Sequence, residues 1–214
     1  MVDISHTAPK TASDVLTHSL APPIFSHSNA RGIHQVVRNI PDSILRRIGQ
    51  LSSPSSSSFD LSHDGERGHG WGNDTNEVER KIPSGDTIIM LNFLPDFVSE
   101  YPDGSGSPAN VQRVADHADY IGRLAGREHV GIGSDFDGID HGPIGLEDVS
   151  KYPALIEELL KRGWNDREIE GLNGENLLRI LRKVEMAKER LRKVEVDTTI
   201  FEGRDDMVYW KGAA

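Results

Sequence analysis

The sequence has no cysteine among its 214 residues. Disulfide bonds and thiolate metal sites are therefore excluded, and a metal bound by this chain must use His, Asp or Glu. The net charge is −10, and the basic residues are scattered. This disfavours binding to nucleic acids or to anionic membrane surfaces, because both need clustered positive charge. No apolar run approaches the length of a bilayer span.

Recognisable targeting segments are also lacking at the two ends of the sequence. The first 20 residues are polar and do not resemble a secretory signal. The last residues do not form the hydrophobic tail that precedes a lipid anchor. We therefore expect no signal peptide, membrane segment or anchor in this chain, and the sequence leaves its compartment open.

Short apolar runs alternate with helical patterns along the chain. Strands are predicted at residues 2–4, 23–25, 87–93 and 129–133. Helices are predicted at residues 12–20, 41–51, 108–125, 150–162 and 175–193. This alternation favours an α/β fold with a parallel sheet. A closed (β/α)8 barrel needs roughly 250 residues and eight units, whereas about four are visible, so we predict part of such a barrel.

Capping patterns give the expected helix ends and core faces. Ser107 and Pro108 resemble an N-cap followed by proline at the first helical position, with Gly126 as the stop. Gly163 should end the helix that buries Tyr152, Leu155, Ile156 and Leu159, and Asn165 with Glu168 resembles a capping box. The last helix should bury Leu177, Leu181, Val184 and Leu191.

Composition divides the chain into four segments. Residues 1–50 and 83–195 carry the barrel units, and residues 196–214 form a tail. Residues 51–82 open with a serine run and become rich in Gly, Asp and His. Such a segment buries too little apolar surface to offset the entropy of ordering, so it is predicted to be a largely disordered insertion. His63 and His69 lie in it and receive no predicted role, because a glycine-rich setting does not fix ligand geometry.

Two histidines follow predicted strands. His6 ends the first strand and His27 ends the second, with one helical pattern between them. Neighbouring parallel strands would bring both imidazoles to the same mouth, where barrel enzymes build their sites. Neutral imidazoles are common zinc ligands, so His6 and His27 are candidate metal ligands. From these residues alone, two hydrogen-bonded histidines at strand ends remain the alternative.

An aspartate and an arginine are the other candidates. Asp135 comes just after the fourth strand, where a carboxylate can act as general acid/base or metal ligand. Asp137 is interpreted as local turn capping. Arg38 follows His27 in a loop, where it could bind a substrate carboxylate through paired hydrogen bonds. A surface salt bridge is the alternative for Arg38.

Several motifs, taken in order, resemble the membrane (renal) dipeptidase family. They are residues 23–28 (PIFSHS), 38–42 (RNIPD), 90–93 (MLNF), 114–117 (VADH), 130–138 (VGIGSDFDG), 145–153 (GLEDVSKYP), 158–164 (ELLKRGW) and 176–179 (NLLR). The resemblance implies a (β/α)8 barrel with two zinc ions that hydrolyses dipeptides. It implies that His6 and His27 bind the second zinc, that Arg38 binds the substrate carboxylate, and that Asp135 is the catalytic acid/base and also contacts substrate.

The resemblance also implies an incomplete site. The family's His-x-Asp motif for the first zinc has no counterpart here, and its bridging glutamate would lie upstream of residue 1. The sequence therefore predicts the C-terminal half of a metallodipeptidase, with little activity as an isolated chain. Two alternatives stay open: a non-catalytic half-barrel that self-associates, for example as a homodimer, and a related zinc amidohydrolase with another amide substrate.

Overall fold

The computed structural model of the chain describes residues 1–52, 86–100 and 108–194. The strands are β1 (Ile24–Phe25), β2 (Ile88–Leu91) and β3 (Val130–Ile132). The helices are α1 (Pro9–His18), α2 (Asp42–Ser52), α3 (Pro95–Val98), α4 (Val111–Ala125), α5 (Tyr152–Lys161), α6 (Asp166–Glu170) and α7 (Asn176–Leu191). The predicted insertion at 51–82, apart from Leu51 and Ser52 at the end of α2, and the predicted tail at 196–214 lie outside the described residues, as do His63 and His69.

The strands form a parallel sheet in the order β1-β2-β3. Ile24 is opposite Ile88, and Ile89 is opposite Val130. The predicted strand at residues 2–4 is shorter than expected. It makes one parallel bridge, between Asp3 and Ile24, with hydrogen bonds on either side of it. Parallel strands joined through helices confirm the predicted α/β fold, of which the described residues form part of a barrel.

The two faces of the sheet bury different side chains. Phe25, Ile89 and Leu91 join the main core, while Ile24 and Ile88 form a second cluster with Ile180 of α7. This division follows from the alternation of side chains along a strand. With helices covering both sides, the strands read as continuous apolar runs, as predicted. Burial of each large aliphatic side chain stabilises the fold by about 1.5–3 kcal/mol.

Helix α4 begins later than its sequence pattern suggests. The prediction of Ser107 as N-cap with Pro108 at the first position is wrong. Asn110 is the N-cap, and its side-chain oxygen accepts a hydrogen bond from the backbone N–H of Arg113 at 2.9 Å. An Asn side chain can satisfy this otherwise unpaired N–H, so it sets the boundary. Gly126 ends the helix with φ of 105°, as predicted.

The other helices follow the predictions with shifts of one to three residues. Helix α1 starts at Pro9, which occupies the first turn. The capping box of Asn165 and Glu168 is present. In α7 the buried residues are Asn176, Ile180 and Ala187. The predicted core residues are only partly buried, namely Leu177, Leu181, Val184 and Leu191. The short helix α3 has no apolar periodicity and was not predicted. No helix among the described ranges is long and apolar enough to cross a membrane.

Candidate active site

The imidazoles of His6 and His27 meet at one edge of the sheet. His27 directly follows the β1 region, and His6 follows the bridge between Asp3 and Ile24. Their Nε2 atoms are 2.8 Å apart, and their ring centroids are separated by 4.9 Å. His6 has φ of 63°, in the left-handed region. This conformation costs about 1–2 kcal/mol for a residue with a Cβ. The backbone is therefore bent at the point where it directs this ring towards His27.

Burial and nearby charge both favour the neutral form of His6. Burial lowers the pKa of His6, and the positive charge of Arg38 lowers it further. A neutral imidazole retains a nitrogen lone pair, which metal binding requires. Two nitrogens bound to one tetrahedral zinc at about 2.0–2.1 Å would lie roughly 3.3 Å apart. The pair in the structure would therefore need to separate by about half an ångström to share an ion.

Asp135 comes to the same edge from the end of β3. Its Oδ2 lies 3.9 Å from Nε2 of His27 and accepts a hydrogen bond from Nδ2 of Asn92 at 3.2 Å. Asp135 has φ of 67°, and among the described residues only His6 shares this property outside glycine. Backbone strain of this kind is concentrated at functional sites, where the surrounding structure supports it. Two of the predicted site residues thus carry the strain.

An aromatic cluster fixes the segment that carries Asp135. The ring of Phe136 packs against Phe93 and Tyr152 at centroid distances of 5.8 and 6.2 Å. The hydroxyls of Tyr152 and Ser134 lie within hydrogen-bonding distance at 2.9 Å. These contacts flank Asp135 on both sides in sequence. They leave its carboxylate, whose side chain is about 30% exposed, at the mouth of the sheet.

Arg38 lies against the same site, and it forms no salt bridge with any carboxylate in the part of the chain that the structure describes. Its guanidinium donates to the backbone oxygen of His27 at 2.6 Å and to Oγ of Ser28 at 3.0 Å. It also lies over the ring of Phe97, 5.4 Å from the centroid. Burial lowers its pKa, but an arginine stays protonated at neutral pH. The site therefore contains a fixed positive charge beside the imidazoles of His6 and His27.

The loop that carries Arg38 is tied to the loop after β2. Nδ2 of Asn29 donates to the backbone oxygen of Asn92 at 3.0 Å, and Nδ2 of Asn39 donates to that of Phe97 at 2.9 Å. His117 of α4 accepts from the N–H of Ala30 at 3.1 Å. Burial lowers the pKa of His117 to about 4, so it is a neutral structural residue. The local sequence pattern does not predict the positioning roles of Asn29, Asn39 and His117.

A small cavity of about 20 Å³ lies beneath the site, lined among others by His6, Ser28 and Arg38. This volume suits a single water molecule. Nε of Arg38 is buried without a hydrogen-bond partner among the described residues. A dipeptide is far larger than this cavity and cannot be contained in it.

The donor atoms suit zinc but supply only part of a site. Within residues 1–52, 86–100 and 108–194, no group of three or more His, Asp or Glu side chains could hold a metal ion. His6 and His27 provide two converging imidazoles, and a catalytic zinc site usually has three protein ligands. In the arrangement of the described residues, a third ligand is not in place beside this pair.

Comparison with known proteins decides the family. The model of the membrane dipeptidase family, peptidase family M19, matches residues 1–53 and 73–195. The chain belongs to the membrane dipeptidase family. An uncharacterized dipeptidase of Schizosaccharomyces pombe is 35% identical to it, and Dipeptidase aclJ of Aspergillus oryzae is 37% identical. These alignments cover 86% of this chain but only 36% and 35% of the two relatives.

Solved structures support the same membership. The dipeptidase AC, an M19 metallopeptidase, superposes with a TM-score of 0.62 at 27% identity, covering 86% of this chain and 44% of its own. A metallopeptidase from Rhodobacter sphaeroides, bound to a phosphinate mimic of the dipeptide L-Ala-D-Ala, gives a TM-score of 0.61 at 28% identity. The chain thus spans less than half the length of these membrane dipeptidase relatives.

Proposed function

We propose that this chain provides part of the active site of a zinc-dependent dipeptidase, which hydrolyses the peptide bond of dipeptides. Membership of the membrane dipeptidase family supports a hydrolase of this type. The observation that carries the proposal is the meeting of two imidazoles, a carboxylate and a guanidinium at one edge of the sheet. The Rhodobacter relative binds a dipeptide mimic, which favours a dipeptide as substrate here.

Each residue has a chemical role in this proposal. His6 and His27 would hold zinc through their nitrogen lone pairs. A zinc ion there would supply Lewis-acid chemistry, by making a water more acidic and polarising a carbonyl. The role of Asp135 would be to take a proton from the attacking water and to deliver it to the leaving amine. Its hydrogen bond from Asn92 orients the carboxylate for this transfer. Arg38 binds the substrate's terminal carboxylate by charge-assisted hydrogen bonds.

The proposal also predicts a limit. Two imidazoles without a bridging carboxylate should hold zinc weakly, because structural and catalytic sites normally use three or four ligands. We therefore expect the chain as given to hydrolyse dipeptides slowly or not at all with added zinc. Turnover equal to that of a full-length membrane dipeptidase would contradict this incomplete-site interpretation.

The role of Arg38 gives the sharpest test of substrate class. Binding of a dipeptide and of its C-terminal amide should be compared by NMR titration of the zinc-loaded chain. The free carboxylate should bind at least several-fold more tightly, because the amide cannot form the charge-assisted pair. Arg38→Lys should remove most of this preference, since lysine cannot present paired donors in a fixed plane.

The control is Arg123→Lys, since Arg123 lies on α4 over the ring of Tyr120. Arg123→Lys should leave the preference for the free carboxylate over the amide unchanged. Equal binding of acid and amide by the unaltered chain would contradict recognition of a dipeptide carboxylate. That result, together with cleavage of other amides, would favour the related zinc amidohydrolase.

A second candidate function rests on the open sheet. Among the described strands, β3 pairs only with β2, so one edge of β3 has no strand beside it there. Unpaired edges promote association with other chains. We therefore retain a self-associating, non-catalytic half-barrel, such as a homodimer, as the alternative. Gel filtration with and without zinc separates the two, since this association should not need metal.

A further inference from the structure

A single carboxylate, that of Asp3, connects the backbone segments before both histidines. Its Oδ1 accepts hydrogen bonds from the N–H groups of Ser5 and Ser26, at 3.0 and 3.1 Å. Ser5 precedes His6, and Ser26 precedes His27. Burial alone would raise the pKa of Asp3, but hydrogen bonds from the Ser26 hydroxyl and from these N–H groups outweigh it and lower the pKa. Asp3 is therefore an ionised acceptor at neutral pH.

The second oxygen of Asp3 leads to the ring of His27 through one hydroxyl. Oγ of Ser26 lies 2.5 Å from Oδ2 of Asp3 and 2.6 Å from Nδ1 of His27. An ionised carboxylate can only accept, so the single proton of Ser26 must point to Asp3. The Ser26 oxygen can then only accept from the imidazole. It follows that Nδ1 of His27 carries the proton.

The contact between His27 and the ring of His6 is consistent with this assignment. With its proton on Nδ1, His27 has a lone pair on Nε2, the atom that lies 2.8 Å from Nε2 of His6 and 3.9 Å from Asp135. The close contact between the two Nε2 atoms requires one proton, and His6 must supply it. Metal-binding histidines usually donate their other ring N–H to a fixed acceptor, which sets tautomer and orientation.

We propose that Asp3, acting through Ser26, is a positioning residue that holds His27 as its Nδ1–H tautomer and directs the Nε2 lone pair to the metal. The metal-binding part rests on the proposed zinc function, whereas the tautomer does not. The Asp3 side chain also holds together the two segments that carry the histidines, because it accepts hydrogen bonds from the backbone N–H groups of Ser5 and Ser26. One carboxylate thus controls both the distance between the ligands and the proton on one of them.

The tautomer can be read directly in metal-free protein. Two-bond ¹H–¹⁵N correlation spectra of the full chain distinguish Nδ1–H from Nε2–H imidazoles, with His6→Gln and His27→Gln used for assignment. We expect Nδ1–H for His27 and Nε2–H for His6. Asp3→Asn should reverse the direction of both hydrogen bonds. The new amide can donate to Oγ of Ser26, and the hydroxyl of Ser26 can then donate its own proton to Nδ1 of His27. The Nε2–H tautomer should then dominate for His27.

Substitutions at Ser26 separate the relay from a general structural effect. Ser26→Ala should leave a mixture of tautomers, while Ser26→Thr keeps the hydroxyl and should restore the Nδ1–H form. Asp14→Asn on the exposed face of α1 is the matched control for Asp3→Asn and should change neither ring. An Nε2–H signal for His27 in the unaltered chain, or the same tautomer in Ser26→Ala and Ser26→Thr, would overturn the relay.

Zinc affinity gives the second readout. Competition with a chromophoric chelator should show a 10- to 100-fold weaker zinc affinity for Asp3→Asn and Ser26→Ala, the usual effect of losing such a partner. Ser26→Thr should bind nearly as tightly as the unaltered chain. An Nδ1–H tautomer without any zinc binding would support the relay and contradict the proposed function. Equal zinc affinity in all variants would contradict the claim that the relay serves the metal.

Discussion

Gly133 lies at the closest approach between the end of β3 and the segment before His27. A Cβ placed on Gly133 would lie 1.9 Å from the backbone oxygen of Ser26 and 2.7 Å from Cβ of Met90. Real Cβ contacts are essentially never shorter than 3.0 Å, so Gly133→Ala requires a displacement of at least about 1.1 Å. The atom in the way is backbone, which cannot rotate aside as a side chain can. The substitution should therefore push His27 away from Asp135.

The expected magnitude follows from overpacking. Gly133→Ala should cost about 1–3 kcal/mol or more in the free energy of unfolding. For a domain of 150–250 residues this lowers the melting temperature by roughly 2–12 °C. A misplacement of about 1 Å can also cost on the order of 100-fold in a process that needs exact geometry. Zinc affinity should fall as His27 is displaced from Asp135.

Gly163→Ala is the matched control. Gly163 is exposed with φ of 85°, and a Cβ there would meet no atom within 4 Å. Alanine should cost about 1–2 kcal/mol from backbone strain alone, with zinc affinity unchanged. Thermal unfolding by circular dichroism and zinc competition should be measured on both variants. If Gly133→Ala bound zinc as tightly as Gly163→Ala, the close approach would not be what holds the site together.

Three further predictions concern buried polar groups. His117 is held neutral with a pKa of about 4 against an ordinary 6.5, so the unfolded chain takes up its proton first as pH falls. Urea unfolding should show a loss of about 2 kcal/mol between pH 7 and pH 5, and His117→Gln should flatten that part of the profile. Burial would raise the pKa of Asp86, but its ion pairs with Arg179 and Lys183 of α7 lower that pKa. Its stabilising effect is present above the ordinary carboxyl pKa and is lost as pH falls, so Asp86→Asn should destabilise at pH 7 and have little effect at pH 3. Asn92→Ala should cost about 1–3 kcal/mol in unfolding experiments, because it removes a buried donor to Asp135 and leaves other groups unpaired; an unchanged stability would contradict that network.

The positions of the main site residues could be predicted because they depend on strand ends. Parallel strands place their carboxyl ends at one edge of the sheet, so a residue just after each strand meets its neighbours there. His6, His27 and Asp135 all fit this rule, and the structure brings His6 within hydrogen-bonding distance and Asp135 within ion-pairing distance of His27. Their chemical roles remain predictions.

The supporting residues could not be predicted, because their partners are distant in sequence. Asn92 contacts Asp135 across 43 residues, and Asp3 contacts Ser26 across 23. The sequence predicts Asp3 only as part of a strand, since nothing in the local pattern marks a carboxylate that accepts three hydrogen bonds. The left-handed backbone of His6 is equally invisible, because glycine usually marks that conformation and here it is absent.

Local competition explains the error at the start of α4. Ser107 and Pro108 form a stronger N-terminal pattern than Asn110 by sequence alone. Asn110 is itself extended, with φ of −149°, and it pairs with Ile144 as an isolated parallel bridge before it caps the helix. A contact between distant segments therefore decides where this helix begins.

Anomalous diffraction from crystals of the zinc-loaded chain would locate the ion that His6 and His27 are proposed to share beside Asp135. We expect a zinc peak bonded to Nε2 of both histidines at about 2.0–2.1 Å, with Asp135 close by. A peak bound elsewhere, such as at His63 and His69, with the two site imidazoles turned apart, would rule out this shared ion.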